Sequence, residues 1–520
     1  MRSLTRYMRN RRKVAALLTA VALAGGVTSC TDLEVTNPRQ SSDSFWRTSD
    51  DAQRGLTAVY NALELLGVFG RWQAFANDIR SDLGTAQNSP WGDLANFNRF
   101  ELSDYNFEVN RHIWYHNYDL IGRANLVTDN VPGIEMDATL RSRIVGEAKF
   151  MRALAYYNIV TLYENIPLVT ETLSPEERPA TAAPTQTWAQ IEQDLVDAAA
   201  ALPETYPATE AGRATRFAAL AMLGKARLQQ GKWAEASQAL GQVIASGRYS
   251  LLPNYADNFV EATELRNTES LFEVGAADLF PTFVGISFPK MIGPCYRPGP
   301  PLQDYNPTFC DGRPTRWYFD QFMLSRTTTG GVDPRLDVTI LYNDPARGSE
   351  MVYNATRASY FVDNPATADV REDTMIFFRK YGEHQIRNDQ RWDNPINYRV
   401  IRYADVLLMQ AEALNEQGGA NVTTALQHLN TVRRRASLPD ITGVSGPALR
   451  DIILRERMFE FGLESSRWND LARHNLFANL TELRTHDPDF SRFVAGKSER
   501  LPIPTNEVNL NPSVSQNPGW

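Results

Sequence analysis

The sequence predicts a mainly α fold: tetratricopeptide-like helical pairs joined to an irregular, loop-rich half with minor β-structure. Three observations predict it. Apolar residues recur at helical spacing through most of the first 249 residues and again after residue 400. Residues 215–247 carry a helical-pair repeat. Between 250 and 400 the rhythm breaks into Pro, Gly, Asn, Asp and aromatic residues.

Taken in order, Leu56, Val59, Tyr60, Leu63 and Leu66 set one helical face over Ser49 to Leu66. Residues 67–110 set Trp72, Phe75, Trp91, Phe97, Phe100, Tyr105 and Phe107 among Asn, Asp, Gly and Ser, which reads as aromatic-rich loop. Helix resumes near 111 and over 137–163, where alanines permit close helix approach and Pro167 follows the end. Thr187 to Leu202 is a further amphipathic helix. In 215–247, Leu223 and Gly224 take positions seven and eight of a tetratricopeptide unit, which puts Gly231 at fifteen, Trp233 at seventeen, Ala236 at twenty, Leu240 at twenty-four and Val243 at twenty-seven. Small residues at eight and twenty let two antiparallel helices cross tightly. Arg227 and Arg248 depart from the pattern. Ala404 to Ala436 reads as a second pair, with Ala425, Leu429 and Val432 at second-helix spacing. Ser270 to Val274 and Thr374 to Phe378 read as short strands, and helices are predicted over 400–418, 422–436, 447–462 and 465–475. The last twenty residues read as an extended Pro- and Asn-rich tail.

The N-terminus sets location. Arg2, Arg6, Arg9, Arg11, Arg12 and Lys13 precede an apolar run of fourteen residues, Val14 to Val27, shorter than the about 20 that span a bilayer. The run ends in Val27-Thr28-Ser29-Cys30, which resembles the bacterial lipobox. That resemblance implies a signal peptide over 1–29 and lipidation of Cys30; a short spacer is expected to residue 48, then a helical region with tetratricopeptide-like repeats over 49–249 and a C-terminal region with a loop-rich insert and closing helices over 250–520. Without the first 29 residues, Lys and Arg fall from 53 to 47 against 61 Asp and Glu, a net charge of −14. No basic cluster is present, which argues against a nucleic-acid partner. Cys295 and Cys310, with fourteen residues between them, are expected to pair in an oxidising compartment, closing a loop worth about 3 kcal/mol; two separate thiols are the alternative.

Catalytic signatures such as G-x-x-x-x-G-K-[ST], H-E-x-x-H, G-x-S-x-G and C-x-x-C do not occur. His112 and His116 share a helical face but lack an evident third metal ligand, so packed histidines are expected and no metal or cofactor. Glu456 and Glu460 lie one turn apart, the spacing of a carboxylate pair, yet Arg455, Arg457, Arg467 and Arg473 surround them and point to structural ion pairs. The aromatic loops are the better candidates. Trp and Tyr rings stack on the apolar faces of sugars while Asn, Asp and Arg serve the hydroxyl rim, and the same surface suits peptides. The residues singled out are Trp72, Asn77, Asp78 and Trp91 in one loop, and Tyr296, Arg297, Tyr305, Arg316, Trp317 and Tyr318 in the other.

Several segments together resemble the SusD/RagB family of outer-membrane nutrient-binding lipoproteins. They are the lipobox, Gly146 to Tyr156, Glu269 to Val274, Asp333-Pro334-Arg335, Tyr403 to Glu416, Leu429 to Pro439, Arg455 to Arg473 and the closing LPIPTNEVNLNPSVSQNPGW. The resemblance implies four tetratricopeptide-like pairs, an irregular ligand-bearing half and no bond-breaking chemistry. It also implies an oligosaccharide or peptide ligand, with sugar favoured, and a SusC-like TonB-dependent β-barrel transporter as partner. Asp32 and Glu34 loosely resemble the signal that sends such lipoproteins to the outer face. A helical glycosidase or lyase is the rival of another class.

Overall fold

The structure, a computed structural model, describes residues 45–86, 91–279, 282–294, 308–353, 355–361, 375–382 and 394–520. Cys30, Cys295, Tyr296, Arg297, Tyr305 and Thr374 lie outside the described residues.

Helix α1 (Ser49–Asn61) opens on a capping box: Thr48 Oγ1 accepts the Asp51 N–H and Asp51 Oδ2 accepts the Thr48 N–H. It ends five residues before the predicted Leu66. The chain then winds through a 3₁₀ turn (Ala62–Glu64), a π-helical turn (Leu66–Gly70), a single α turn (Trp72–Ala74) and a second π-helical turn (Phe75–Ile79). The expected loop over 67–110 is thus largely buried helical structure, with Gly67 to Gly70 and Trp72 to Leu83 in the interior. Gly67 permits this, because a Cβ there would lie 1.9 Å from the His112 carbonyl oxygen.

Helices α2 (Glu108–Asn130), α3 (Ala138–Tyr163), α4 (Pro184–Ala201), α5 (Arg216–Gln229) and α6 (Trp233–Ala245) follow, each packed on the one before. Asp137 caps α3 by accepting the Leu140 N–H, and Thr215 caps α5 by accepting the Ala218 N–H. Helix α3 is buried on nearly every face from Gly146 onward, which makes it the spine of the array. After the irregular region and α7 (Arg316–Leu324), helix α8 (Tyr403–Gln417) packs on α6, with α9 (Asn421–Arg435) and α10 (Gly446–Phe461) on its flanks. Helix α11 (Arg467–Arg473) follows. The array therefore runs α1, α2, α3, α4, α5, α6, α8, α9, each helix packed on the next. At the α5–α6 crossing, a Cβ on Gly224 would sit 2.5 Å from Leu240 Cγ, the close approach that the repeat spacing required.

Strands are short. β1 (Gly84–Ala86) pairs antiparallel with β3 (Gly312–Pro314), and β2 (Ser270–Val274) with β4 (Tyr398–Arg402). Phe377–Phe378 pairs with Ile340–Leu341, matching the end of the second predicted strand. The C-terminal tail contains a helical turn, Thr505–Leu510, and packs Leu501, Ile503 and Val514 into the core.

Glu456 and Glu460 lie inside the protein. Arg335 bonds both at 2.7 and 2.8 Å, Arg433 holds Glu456 at 2.7 Å, and Arg402 and Arg435 hold Glu460. Burial alone would raise the Glu460 pKa. The guanidiniums of Arg435, Arg402 and Arg335 overcome this and keep the carboxyl well below its usual range. Arg402 reaches on to Glu269 and Glu464, so β4, α10 and the approach to β2 share one ionic cluster.

Candidate ligand-binding surface

The β1–β3 ribbon joins the two segments that the sequence nominated. Gly84 faces Pro314 and Ala86 faces Gly312 across it. Thr315 secures the join, donating from its N–H to the Leu83 carbonyl at 2.9 Å and from Oγ1 to the Asp82 carbonyl at 2.8 Å. Its Oγ1 also accepts the Tyr318 N–H and caps α7, which fixes the helical phase of Arg316, Trp317 and Tyr318.

That phase sends the three side chains different ways. Tyr318 turns into the core, where its hydroxyl donates to the Met458 carbonyl at 3.0 Å. Arg316 is exposed and pairs with Asp320. Trp317 is half-buried and lies flat on His486, with centroids 3.7 Å apart and planes 16° apart. His486 Nδ1 meets Asp82 at 3.0 Å, and Arg467 grips both Asp82 oxygens at 2.8 and 2.7 Å. Burial would raise the Asp82 pKa, but Arg467 and His486 hold it well below the carboxylate range. The Trp317 platform therefore rests on a fixed, charged base.

A second aromatic cluster forms on the other segment. Trp91 is half-buried and packs against Trp72, with centroids 6.1 Å apart. Trp72 itself is fully buried, donates from Nε1 to His112 Nδ1 at 3.3 Å, and has the Arg71 guanidinium 5.1 Å from its ring. Arg71 and Glu108 stand 3.9 Å apart beside it. His112 and His116 stack 4.6 Å apart, and His116 Nδ1 accepts the Gly67 N–H. Burial pushes both imidazoles down to about 4, so they are neutral near pH 7 and serve as packed acceptors. Among the described residues, no group of three or more His, Cys, Asp or Glu could hold a metal ion.

Four nominated residues are structural. Trp72 supports Trp91 from beneath. Asn77 bonds Gln73 through its amide nitrogen. Asp78 is fully buried and accepts the backbone N–H groups of Ser465, Ser466 and Arg467. Tyr318 serves α10. None of the four presents a face to a ligand. Trp91, Arg316 and Trp317 keep access to solvent. His486 and Arg71 were missed: His486 comes from a segment remote in sequence, and no local pattern marks it. Cys310 is disulfide-bonded. No helix among the described residues is long and apolar enough to cross a membrane.

Residues 284–520 match the profile of the SusD family, and residues 33–228 match one described as starch-binding, associating with outer membrane. The chain belongs to the SusD/RagB family. It is 27% identical to SusD-like protein P25 of Formosa agariphila, over 96% of this chain and 97% of the relative. The crystal structure of a SusD superfamily protein from Bacteroides vulgatus superposes with a TM-score of 0.78 at 25% identity, covering 92% of this chain and 100% of that one. A laminarin-binding SusD-like protein superposes with a TM-score of 0.74 at 29% identity, covering 91% and 100%. The mainly α array of helical pairs is the SusD fold.

Proposed function

We propose that this SusD-family protein is an outer-membrane glycan-binding lipoprotein. It is anchored through Cys30 and faces outward, captures an oligosaccharide at the Trp91 and Trp317 surface, and delivers it to a SusC-like TonB-dependent β-barrel transporter, over which it acts as a lid. The observation that carries the reading is the pair of half-buried tryptophans, each braced from behind, Trp91 by Trp72 and Trp317 by His486. A rigid, half-buried indole offers a sugar ring its exposed apolar surface at small entropic cost. Arg316, Arg71 and Glu108 stand near these platforms as polar partners. The laminarin-binding relative supports a glucan as the first ligand to test. The protein holds its cargo without cleaving it: the glutamate pair that could mimic a glycosidase is buried and neutralised by arginine. Lid closure needs two states separated by a few kcal/mol that ligand can bias.

Calorimetric titration with laminarin oligosaccharides tests the site. Trp91→Ala and Trp317→Ala should each weaken binding about tenfold; wild-type affinity in a folded double variant overturns the assignment. Co-purification of a β-barrel from detergent-solubilised outer membranes tests the partner, and mass spectrometry of the mature N-terminus tests lipidation of Cys30.

A further inference from the structure

A separate cavity of about 250 Å³ opens where the α4–α5 connection, Tyr249 just after α6, and the approach to β2 meet. It shares no residue with the Trp91 and Trp317 surface. Its volume lies below the roughly 300 Å³ at which drug-sized sites begin, room for one sugar unit within it. Two half-buried tyrosines, Tyr206 and Tyr249, line it, with Thr205 supplying a hydroxyl group, while the Asn267 amide is engaged with Asn258, Glu264, Glu269 and Ser270.

The charges that line it have partners, with one exception. Glu204 pairs with Arg248 at 2.5 Å. Glu273 is held by Arg399, Asn397 and Ser270. Arg213 bonds the buried Glu147 at 3.1 Å. The Arg266 guanidinium is exposed at the mouth and donates only to the Ala208 carbonyl at 3.4 Å, while the Arg266 backbone N–H donates to Glu273 Oε1 at 3.4 Å; among the described residues no carboxylate meets the guanidinium. Its backbone is left-handed, with φ +51°, a conformation that glycine or asparagine adopts with least strain. The strain there is of the backbone alone, so substitution by glycine or asparagine removes the guanidinium without disturbing the turn.

We propose that this cavity is a second saccharide site, specific for a single sugar unit bearing an anionic group, which Arg266 binds by charge-assisted hydrogen bonds. Only the choice of a sugar as ligand rests on the glycan-binding reading above. A carboxylate and a sulfate share the required chemistry, and the test separates them.

Saturation-transfer NMR titrations of the purified protein with glucuronate, glucose 6-sulfate and glucose provide that test. At least one anionic sugar should bind ten times more tightly than glucose. A preference for glucuronate alone identifies a carboxylate site, and for glucose 6-sulfate alone a sulfate site. Arg266→Gly relieves the left-handed backbone, so it should melt no lower than wild type and abolish the preference, while laminarin-oligosaccharide affinity stays unchanged. Arg266→Asn, which also tolerates this backbone, should behave alike. Equal binding of all three sugars by the wild type, or a preference that survives in either variant, overturns the proposal. Because the main site is read with a neutral glucan and this one with anionic monosaccharides, either can fail alone.

Discussion

The Asp78 carboxylate accepts the Ser465 backbone N–H at 2.7 Å, joining residues 387 positions apart. The same carboxylate takes the N–H groups of Ser466 and Arg467, and so anchors the start of α11 from the first quarter of the chain. Asp78→Ala leaves three interior donors unpaired and should destabilise the protein by at least about 2 kcal/mol in urea unfolding. Asp78→Asn, which keeps one acceptor oxygen but turns an amide nitrogen toward a donor, should fall between the two.

The crossing of α5 and α6 predicts a coupled pair. Gly224→Ala drives a methyl into Leu240 and should cost about 1–3 kcal/mol. Leu240→Ala should cost about 2–5 kcal/mol through the cavity it leaves. Because the same atoms are at issue, the double variant should lose clearly less than the sum, as unfolding of all four proteins in one double-mutant cycle will show.

Glu460 receives Arg335, Arg402 and Arg435. Glu460→Ala strands buried guanidinium charge and should cost about 3–5 kcal/mol. Thermal unfolding measures that loss.

Asp487 gives a pH dependence. Burial pushes its carboxyl up to about 7, with Asp489 and Asp82 adding repulsion. The unfolded chain releases this proton near pH 4 and the folded protein near 7. Stability from this group is therefore fully present below pH 4 and is lost as pH rises through 7. Asp487→Asn, neutral at every pH and still able to accept the Asp489 N–H, should match wild type near pH 4 and exceed it by about 4 kcal/mol at pH 8. Melting temperatures across that range will read the difference.

The helical array was legible because helices such as α1, α6 and α9 show a buried face in their spacing, α3 and α8 are apolar or small over most of their length, and Gly224 and Ala236 mark where two helices must touch. The region 67–110 was not. Its Asn, Asp and Gly residues suggest solvent, yet Asp78 and Asn77 find their hydrogen bonds inside, the first from partners remote in sequence. Local pattern cannot announce such partners. The same holds within one helical turn of α7: Trp317 and Tyr318 are alike in composition, and only the cap set by Thr315 decides which remains accessible. The shape of the binding surface thus depends on contacts between strands and helices that periodicity does not encode.

The end of the chain completes its beginning. The last-turn carbonyls of α3, from Leu162 and Tyr163, are taken by the Leu501 N–H and the Asn517 amide, and Trp520 lies edge-on to Tyr105. The end of the spine helix is therefore bonded by residues some 340 positions later in the sequence, beside the local Asn165 N–H. Cutting the chain after residue 500 removes both partners and the Tyr105–Trp520 contact at once, so damage at the far end should be felt as instability of the spine helix.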